Sequence, residues 1–472
     1  MHSRVTARSL QRALGGWRTR DPAYEALADA IRLLCLDNRL APRTALPAER
    51  ELAAALGLSR TTVAAAYRSL RETGHIESLR GSGSVTLPAR HRESAPPVRA
   101  ADEIDLTQAS PAAWPGLAGT LTEAASEAAS LLSRPGYDIV GSRELRRAIA
   151  ARYDQRGLPT RPEEILVTTG AQSAIHLVAS ALVRRGDRIV IETPTYPHAA
   201  EAFRNADARL VSIPVSASAG WDLERAEQVF SRTAPTLAYL MPTFQNPTGR
   251  SMTREEQDVV ARAAAESGCM LVLDETTAEL TLDESAMPDP ALVGVPALRI
   301  GSLGKTVWGG LRIGWIRAQP HVIRRLVASR PSRELGTPEF EQAVAVRLLQ
   351  RMPEILSQRA ALLAEGHAAL RDALATRLPE WGIPEVQGGV SLWVRLDAPL
   401  SAGLVMALRP RGVHLSSGSR FAPEGTHESN LRIPFTASPQ LLRRGIDQIA
   451  DIWPLVKAAA PRGVPDDLAT LV

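Results

Sequence analysis

Lysine is nearly absent from this chain: only two of its 55 basic residues are Lys, at positions 305 and 457. Arg keeps its proton at any biological pH, so a chain that uses Arg for plain charge makes each retained amine a question. A lysine amine can lose its proton when desolvated and attack carbonyls, which no guanidinium does. Cysteine is just as scarce, Cys35 and Cys269 alone, which excludes a disulfide framework and a Cys-rich zinc site; no metal centre is expected. Aromatics make up 4% of the residues. No stretch approaches the roughly eighteen consecutive apolar residues of a membrane span. The start, Met1-His2-Ser3-Arg4, lacks the apolar segment of a secretory signal, so a cytoplasmic protein without membrane contact is expected. What remains is 472 residues with 44% apolar content, enough for two or three domains.

Charge is distributed unevenly. The first 100 residues hold 16 Arg against nine carboxylates, whereas the whole chain nets only +4, so the remainder is negative overall. The positive end is where nucleic acid would be met. Within it, Pro22 to Asp37 reads as a helix, with Tyr24, Leu27, Ala30, Ile31 and Leu34 at three- and four-residue spacing. Pro47 suits a first helical turn and Gly57 a left-handed C-cap. Ser59 suits the N-cap of a second helix running through Val63, Tyr67 and Leu70. Ser59, Arg60, Thr61 and Thr62 open that helix, the end which meets bases and phosphates in a helix-turn-helix. Ile76 to Leu87 then reads as a two-stranded wing with a glycine tip, where Arg80 can enter a groove. Any single helix here is ordinary; the ordered set with its Arg excess points to DNA.

From Leu46-Pro47-Ala48-Glu49-Arg50-Glu51-Leu52-Ala53 through Ser59-Arg60-Thr61-Thr62 to Gly81-Ser82-Gly83, this segment resembles the GntR family of bacterial regulators. The resemblance implies contacts to a double-stranded operator by Arg50, Ser59, Arg60, Thr61, Thr62, Arg80 and Gly81. Some members carry another Arg four residues after the first recognition Arg; here that position is Ala64, so base preference does not transfer. The winged helix-turn-helix is assigned to 18–88, and a Pro-, Arg- and Ala-rich linker to 89–104.

Beyond residue 160, strand and helix patterns alternate. Ile165–Thr169, Ile189–Glu192, Leu237–Leu240, Met270–Leu273 and Leu298–Gly301 read as buried strands of a mostly parallel α/β sheet. Ligands in such sheets gather at the carboxyl ends of the strands, and chemically distinctive residues follow each strand here. A phosphorylated pyridine aldehyde would find what it needs among them. Gly170, Ala171 and Gln172 offer backbone N–H groups at a helix start for a phosphate. Asp274 offers a carboxylate for a ring nitrogen, Tyr196 an aromatic face, Asn246 a donor for a phenolic oxygen, and Lys305 an amine for the aldehyde. Ser302 and Arg312 flank that lysine and suit the phosphate dianion. Singly, Asp274 is as good a helix cap, Tyr196 a core residue and Asn-Pro-Thr-Gly a turn; their order at successive strand ends is what argues otherwise.

Residues 105–460 resemble the fold type I, aspartate-aminotransferase-like enzymes, through Asn246-Pro247-Thr248-Gly249, Asp274, Ser302, Lys305 and Arg312. The resemblance implies pyridoxal 5'-phosphate as cofactor, held as an internal aldimine on Lys305. Asp274 would pair with the pyridine nitrogen, Asn246 with the phenolic oxygen, and Ser302 and Arg312 with the phosphate. It further implies that Tyr137 reaches a neighbouring subunit's phosphate and that Arg432 clamps an α-carboxylate. Two departures stand out: Thr276 replaces the tyrosine that usually helps hold the phenolic oxygen, and Gly304 replaces a common serine. The first is expected to weaken transaminase chemistry without preventing cofactor binding. A large domain is assigned to 105–325 and a small one to 326–472.

A GntR-like head on an aminotransferase-like body resembles the MocR subfamily of bacterial transcription factors, which implies a homodimer. The reading is a regulator that senses pyridoxal phosphate, or an amino-compound effector, at Lys305 and Arg432, with little or no turnover. An aminotransferase with an appended DNA-binding head is the alternative, and a body serving only as dimerisation scaffold a further one. His198 could face the ligand, although such a residue is more often simply solvated.

Overall fold

A computed structural model of the chain describes residues 4–15, 17–18, 22–36, 39–79, 83–87, 103–133, 135–422 and 425–459. The wing tip, and with it Arg80 and Gly81, lies outside the described residues, as does the linker up to residue 102.

Four helices and a two-stranded ribbon make the head: α1 (Ala7–Leu14), α2 (Ala23–Leu36), α3 (Glu49–Leu56), α4 (Arg60–Glu72), β1 (Ile76–Leu79) and β2 (Gly83–Thr86). Gly57 takes the left-handed conformation at the end of α3 (φ 64°), where a Cβ would add strain. The Ser59 hydroxyl accepts the Thr62 amide at 3.1 Å and so caps α4. Pro47 falls just before α3 rather than in its first turn; its carbonyl accepts the buried Tyr67 hydroxyl at 3.0 Å, tying the entry of α3 to α4. The head also begins before residue 18. Helix α1, capped by Thr6, sends Leu10 and Leu14 into the same core as Leu27, Ile31, Leu52 and Leu70.

The large sheet has eight strands, in the order Ile165–Thr168, Gly314–Arg317, Ala297–Ser302, Met270–Asp274, Leu237–Leu240, Arg188–Thr193, Arg209–Ser216 and Gly220–Trp221. The middle strands are parallel and buried on both faces, hence their near-continuous apolar runs. Gly314–Arg317 is antiparallel to both neighbours and separates Ile165–Thr168 from Ala297–Ser302, the strand that leads to Lys305.

A three-stranded antiparallel sheet, Ser391–Arg395, Asn430–Pro434 and Ser416–Ser417, anchors the small subdomain. Its core includes Leu370, Leu392, Ile433, Ile446 and Trp453. The subdomain boundaries differ from a simple cut at 325/326. Ile104–Asp105 pairs with Val413–His414 and Leu106 enters the small core, because the chain arriving from the head lies along that subdomain. Helix Glu339–Gln350 and the start of Met352–Arg377 pack instead with Leu145, Ile149 and Ile313 of the large domain. Head and body meet where Leu33 of α2 joins the small-subdomain core. Among the described residues no helix is long and apolar enough to cross a membrane.

Candidate functional site

Parallel strands end together, so residues far apart in sequence converge at one edge of the sheet. Asp274 closes its strand and is 2% exposed. Its carboxylate accepts the Tyr239 hydroxyl at 2.5 Å and the Thr276 amide at 2.9 Å. Burial pushes this carboxyl up, while the Tyr239 and Thr276 bonds oppose the shift. Tyr239 was not legible as a site residue, since a tyrosine in the run Leu237–Leu240 reads as core.

Lys305 lies just past the strand Ala297–Ser302 and donates to the Ala109 carbonyl at 2.5 Å. Burial first, then the Arg432 guanidinium, push its amine down to about 8, with Asp274 pulling the other way. A substantial share of the amine is therefore neutral near pH 7 to 8, as a nucleophile requires. Arg432 sits on Asn430–Pro434, 6% exposed, with its guanidinium 4.8 Å from the centre of the Phe421 ring. It donates to the Thr107 carbonyl, while its Nε has no partner among the described residues. Burial and the nearby Arg420 push it down to about 10. The carbonyls of Thr107 and Ala109 thus occupy the two cationic groups of the site. No sequence motif announces them, because every residue has a carbonyl.

Tyr196 belongs to the same neighbourhood. Burial, then the Asp274 charge, push its phenol up to about 12, and its ring meets His198 edge-on at 5.3 Å. His198 itself pairs with Glu201 at 3.1 Å. Asn246 has a buried amide oxygen without a partner, and so does Gln172, whose Nε2 donates to the His198 carbonyl at 3.3 Å. Unsatisfied polar atoms are rare in folded interiors, and these gather at one strand edge.

The turn Gly170-Ala171-Gln172 opens the helix Ala171–Leu182. Gly170 has φ 85°, and a Cβ there would stand 3.0 Å from Arg312 Nη2. Arg312 donates to the Thr169 carbonyl at 2.9 Å, so guanidinium and helix start form one cradle. Gly314 closes it from below; a Cβ there would lie 2.8 Å from the Ala171 nitrogen. A helix start with a cation beside it and no side chain in the way fits a phosphate. Ser302 is less free: its hydroxyl donates to the Ile313 carbonyl and accepts from the Gly304 amide, both at 3.0 Å. Thr276 lines a small void with Tyr153, Glu275 and Ser302. Tyr137 is not brought together with the rest and stands 74% exposed.

On the head, Ser59, Arg60 and Thr61 are exposed around the start of α4, and Arg50 is exposed on α3. The Ser59 hydroxyl lies 2.7 Å from that of Thr61 and 2.8 Å from that of Thr62. Arg60 stands 3.6 Å from Glu49, a solvent-screened pair that leaves it within reach of a phosphate.

Comparison with known proteins agrees with this division. Residues 118–449 match the family of class I and II aminotransferases, and residues 23–85 match the gntR family of bacterial regulatory proteins. A 2-aminoadipate transaminase of Thermus thermophilus is 31% identical over 69% of this chain and 83% of its own length. The probable rhizopine catabolism regulatory protein MocR of Rhizobium meliloti is 28% identical over 94% of this chain and 98% of its own. YdcR, an HTH-type transcriptional regulator of Escherichia coli, is 28% identical over 84% and 92%. Among solved structures, LysN, the α-aminoadipate aminotransferase of Thermus thermophilus in complex with N-(5'-phosphopyridoxyl)-L-leucine, superposes with a TM-score of 0.68. That match has 27% identity and covers 75% of this chain and 93% of LysN.

Proposed function

Because the chain belongs to the class I and II aminotransferase family and carries a gntR-family head, a MocR-type fusion, we propose that it regulates transcription by sensing pyridoxal 5'-phosphate, or an amino compound bound with it, at Lys305. The observation that carries this reading is the meeting of Lys305, Asp274, Tyr196 and Arg432 in one buried neighbourhood, where Asn246 Oδ1, Gln172 Oε1 and Arg432 Nε have no partner among the described residues. When bound, the cofactor supplies an aldehyde to an amine and a ring that withdraws electrons from it.

The chain's own residues do the rest. Lys305 would hold the cofactor through its amine, which burial and the Arg432 guanidinium push down to about 8 and so leave partly neutral. Asp274 keeps a ring nitrogen protonated, and such a cation would draw its buried carboxyl back to the charged form. Asn246 donates to the phenolic oxygen and Tyr196 covers the ring. The Gly170-Ala171-Gln172 turn, Arg312 and Ser302 hold the phosphate. Tyr137, exposed within its own chain, reaches the phosphate of a second subunit in a homodimer. Arg432 takes the carboxylate of an amino-compound effector in place of the Thr107 carbonyl. Thr276 cannot supply the phenol that would tune the cofactor for rapid transamination. In the head, the starts of α3 and α4 meet the operator through Arg50, Ser59, Arg60, Thr61 and Thr62, with Arg80 and Gly81 at the wing. An effector shifts DNA occupancy only by its differential affinity for the DNA-bound and DNA-free states of the chain.

The second reading, an aminotransferase with an appended head, is favoured by the 31% identity to a transaminase. One experiment separates them. The full chain is titrated with pyridoxal phosphate and then with amino compounds while visible absorbance and operator binding are followed in the same samples. A spectral change accompanied by a change in operator binding, with negligible steady-state turnover, supports the sensor. Sustained turnover with operator binding indifferent to the amine supports the enzyme. A chain without any spectral response to the cofactor defeats both.

A further inference from the structure

Gln245 stands immediately before Asn246 and is 1% exposed. Its Nε2 donates to Glu192 Oε2 at 3.2 Å and to the Pro194 carbonyl at 2.7 Å. Its Oε1 accepts the Thr248 amide at 3.0 Å and the Thr248 hydroxyl at 2.7 Å. Two donors and two acceptors in one planar group are what a primary amide offers; a carboxylate lacks the donors and an apolar side chain lacks both. Glu192 is itself fully buried, and its other oxygen accepts the Trp221 indole N–H and the Met241 amide, which fixes the carboxylate that orients Gln245. The two loops joined in this way carry different parts of the site. Pro194 leads to Tyr196, and the Thr248 contacts close the turn that begins at Asn246. Asn246 Oδ1 has no partner among the described residues, so the direction of its amide rests on the backbone of that turn. The backbone just before it is held against its own preference: Phe244 has φ 47°, in the left-handed region that bulky side chains avoid. Ser251 Oγ accepts the Phe244 amide and Thr277 Oγ1 donates to the Phe244 carbonyl, both at 3.1 Å. Such a conformation persists only where the surrounding bonds over-determine it.

We propose that Gln245 is a positioning residue, which holds the Asn246 amide and the Tyr196 ring in one geometry around the cofactor's ring. This role rests on the cofactor reading of the site. Through Asn246, Gln245 governs how well a donor meets the phenolic oxygen; through Pro194, it governs where Tyr196 covers the ring. A donor at the phenolic oxygen draws charge out of the ring system. Its misplacement therefore lets the bound chromophore keep its proton to higher pH.

The test is a pH titration of the full chain loaded with pyridoxal phosphate, followed by its visible band, beside a melting curve for each variant. Gln245→Leu should raise the midpoint of the spectral change by about one pH unit, the size of about one hydrogen bond. It should also weaken cofactor binding by about tenfold in an absorbance titration. Asn246→Ala should raise the midpoint similarly, and adding Gln245→Leu to it should raise the midpoint little further, because the one residue acts through the other. A residue that only supports the fold would lower the melting temperature and leave the midpoint in place, which overturns the proposal. A double variant whose shift is the sum of the single shifts overturns it too. If Gln245→Leu does not fold, Thr248→Val removes the hydroxyl contact alone; a smaller upward shift is then expected, and an unmoved midpoint refutes the role. A wild-type chain that takes no colour from pyridoxal phosphate defeats the cofactor reading and this role together, a result distinct from a coloured variant with an unmoved midpoint.

Discussion

Capture of pyridoxal phosphate by the apo chain should follow the titration of Lys305, because only the neutral amine attacks the aldehyde. With the amine pushed down to about 8, about half of it is neutral at that pH, roughly one part in ten a pH unit lower and about one in a hundred a further unit down. An unperturbed lysine would have only about one neutral amine in a few thousand at pH 7, so burial and Arg432 together amount to a gain of a few hundredfold. The capture rate should therefore rise about tenfold per pH unit from about pH 6, bend near 8 and level off above it. Replacing Arg432 by Met removes the second cause of the shift and should move the bend upward, slowing capture at neutral pH. The assay is stopped-flow mixing of cofactor-free chain with pyridoxal phosphate, followed by visible absorbance, with Lys305→Ala as the blank. A bend near 10, or a rate that does not depend on pH, would refute the argument that the site prepares this amine. So would an unchanged signal from Lys305→Ala.

Other consequences can be measured more simply. Glu192 is fully buried, accepting from Trp221 Nε1 at 3.0 Å, the Met241 amide at 3.1 Å and Gln245 Nε2 at 3.2 Å, and burial pushes it up to about 7. Its folded pKa is raised, so its contribution to stability is complete below the unfolded value near 4.5 and is lost as pH rises through about 7. The loss is on the order of 3 kcal/mol. Glu192→Gln should flatten this part of the melting-temperature profile between about pH 5 and 8, and an unaltered slope would assign it elsewhere. Gly170→Ala forces a side chain into φ 85° and brings its Cβ to 3.0 Å from Arg312 Nη2. A strain of about 1–3 kcal/mol is expected there, read as weaker cofactor binding in an absorbance titration. Ser59→Ala should cost the head about 1 kcal/mol through the lost cap on Thr62, seen as a lower melting temperature. Arg60→Ala should weaken operator binding across sequences and lower the salt slope by about one; an unchanged slope would remove Arg60 from the phosphate contacts.

Much of this molecule could be read before any coordinates. The buried strands gave themselves away as apolar runs bounded by polar residues: Leu237–Leu240 was placed to the residue, and Met270–Asp274 within one. Gly57 and Ser59 were legible because each type has one local job there, a left-handed C-cap and an N-cap. Asp274 stood out as a carboxylate ending an apolar strand, Lys305 as one of only two lysines, just past another such strand, and Arg432 only through the family resemblance. Other features left weaker traces. Helix α1 has eight residues, with Arg8 and Arg12 among them, and only two leucines in the core, so it resembles a basic tail. Gly314–Arg317 is four residues long and runs against its neighbours, a direction that composition does not encode. The Thr107 and Ala109 carbonyls act through the backbone, which every residue shares.

The short antiparallel strand Gly314–Arg317 has an effect out of proportion to its length. It wedges between Ile165–Thr168 and Ala297–Ser302, segments separated by well over a hundred residues, and brings Arg312 to Thr169 and Gly314 beneath Ala171. Until that wedge is seated, the anion cradle is two unrelated loops. On the proposed cofactor site, colour would then be a sign that the most distant pairing in the large sheet has closed, and a newly made chain would take up its chromophore only after the sheet has been completed.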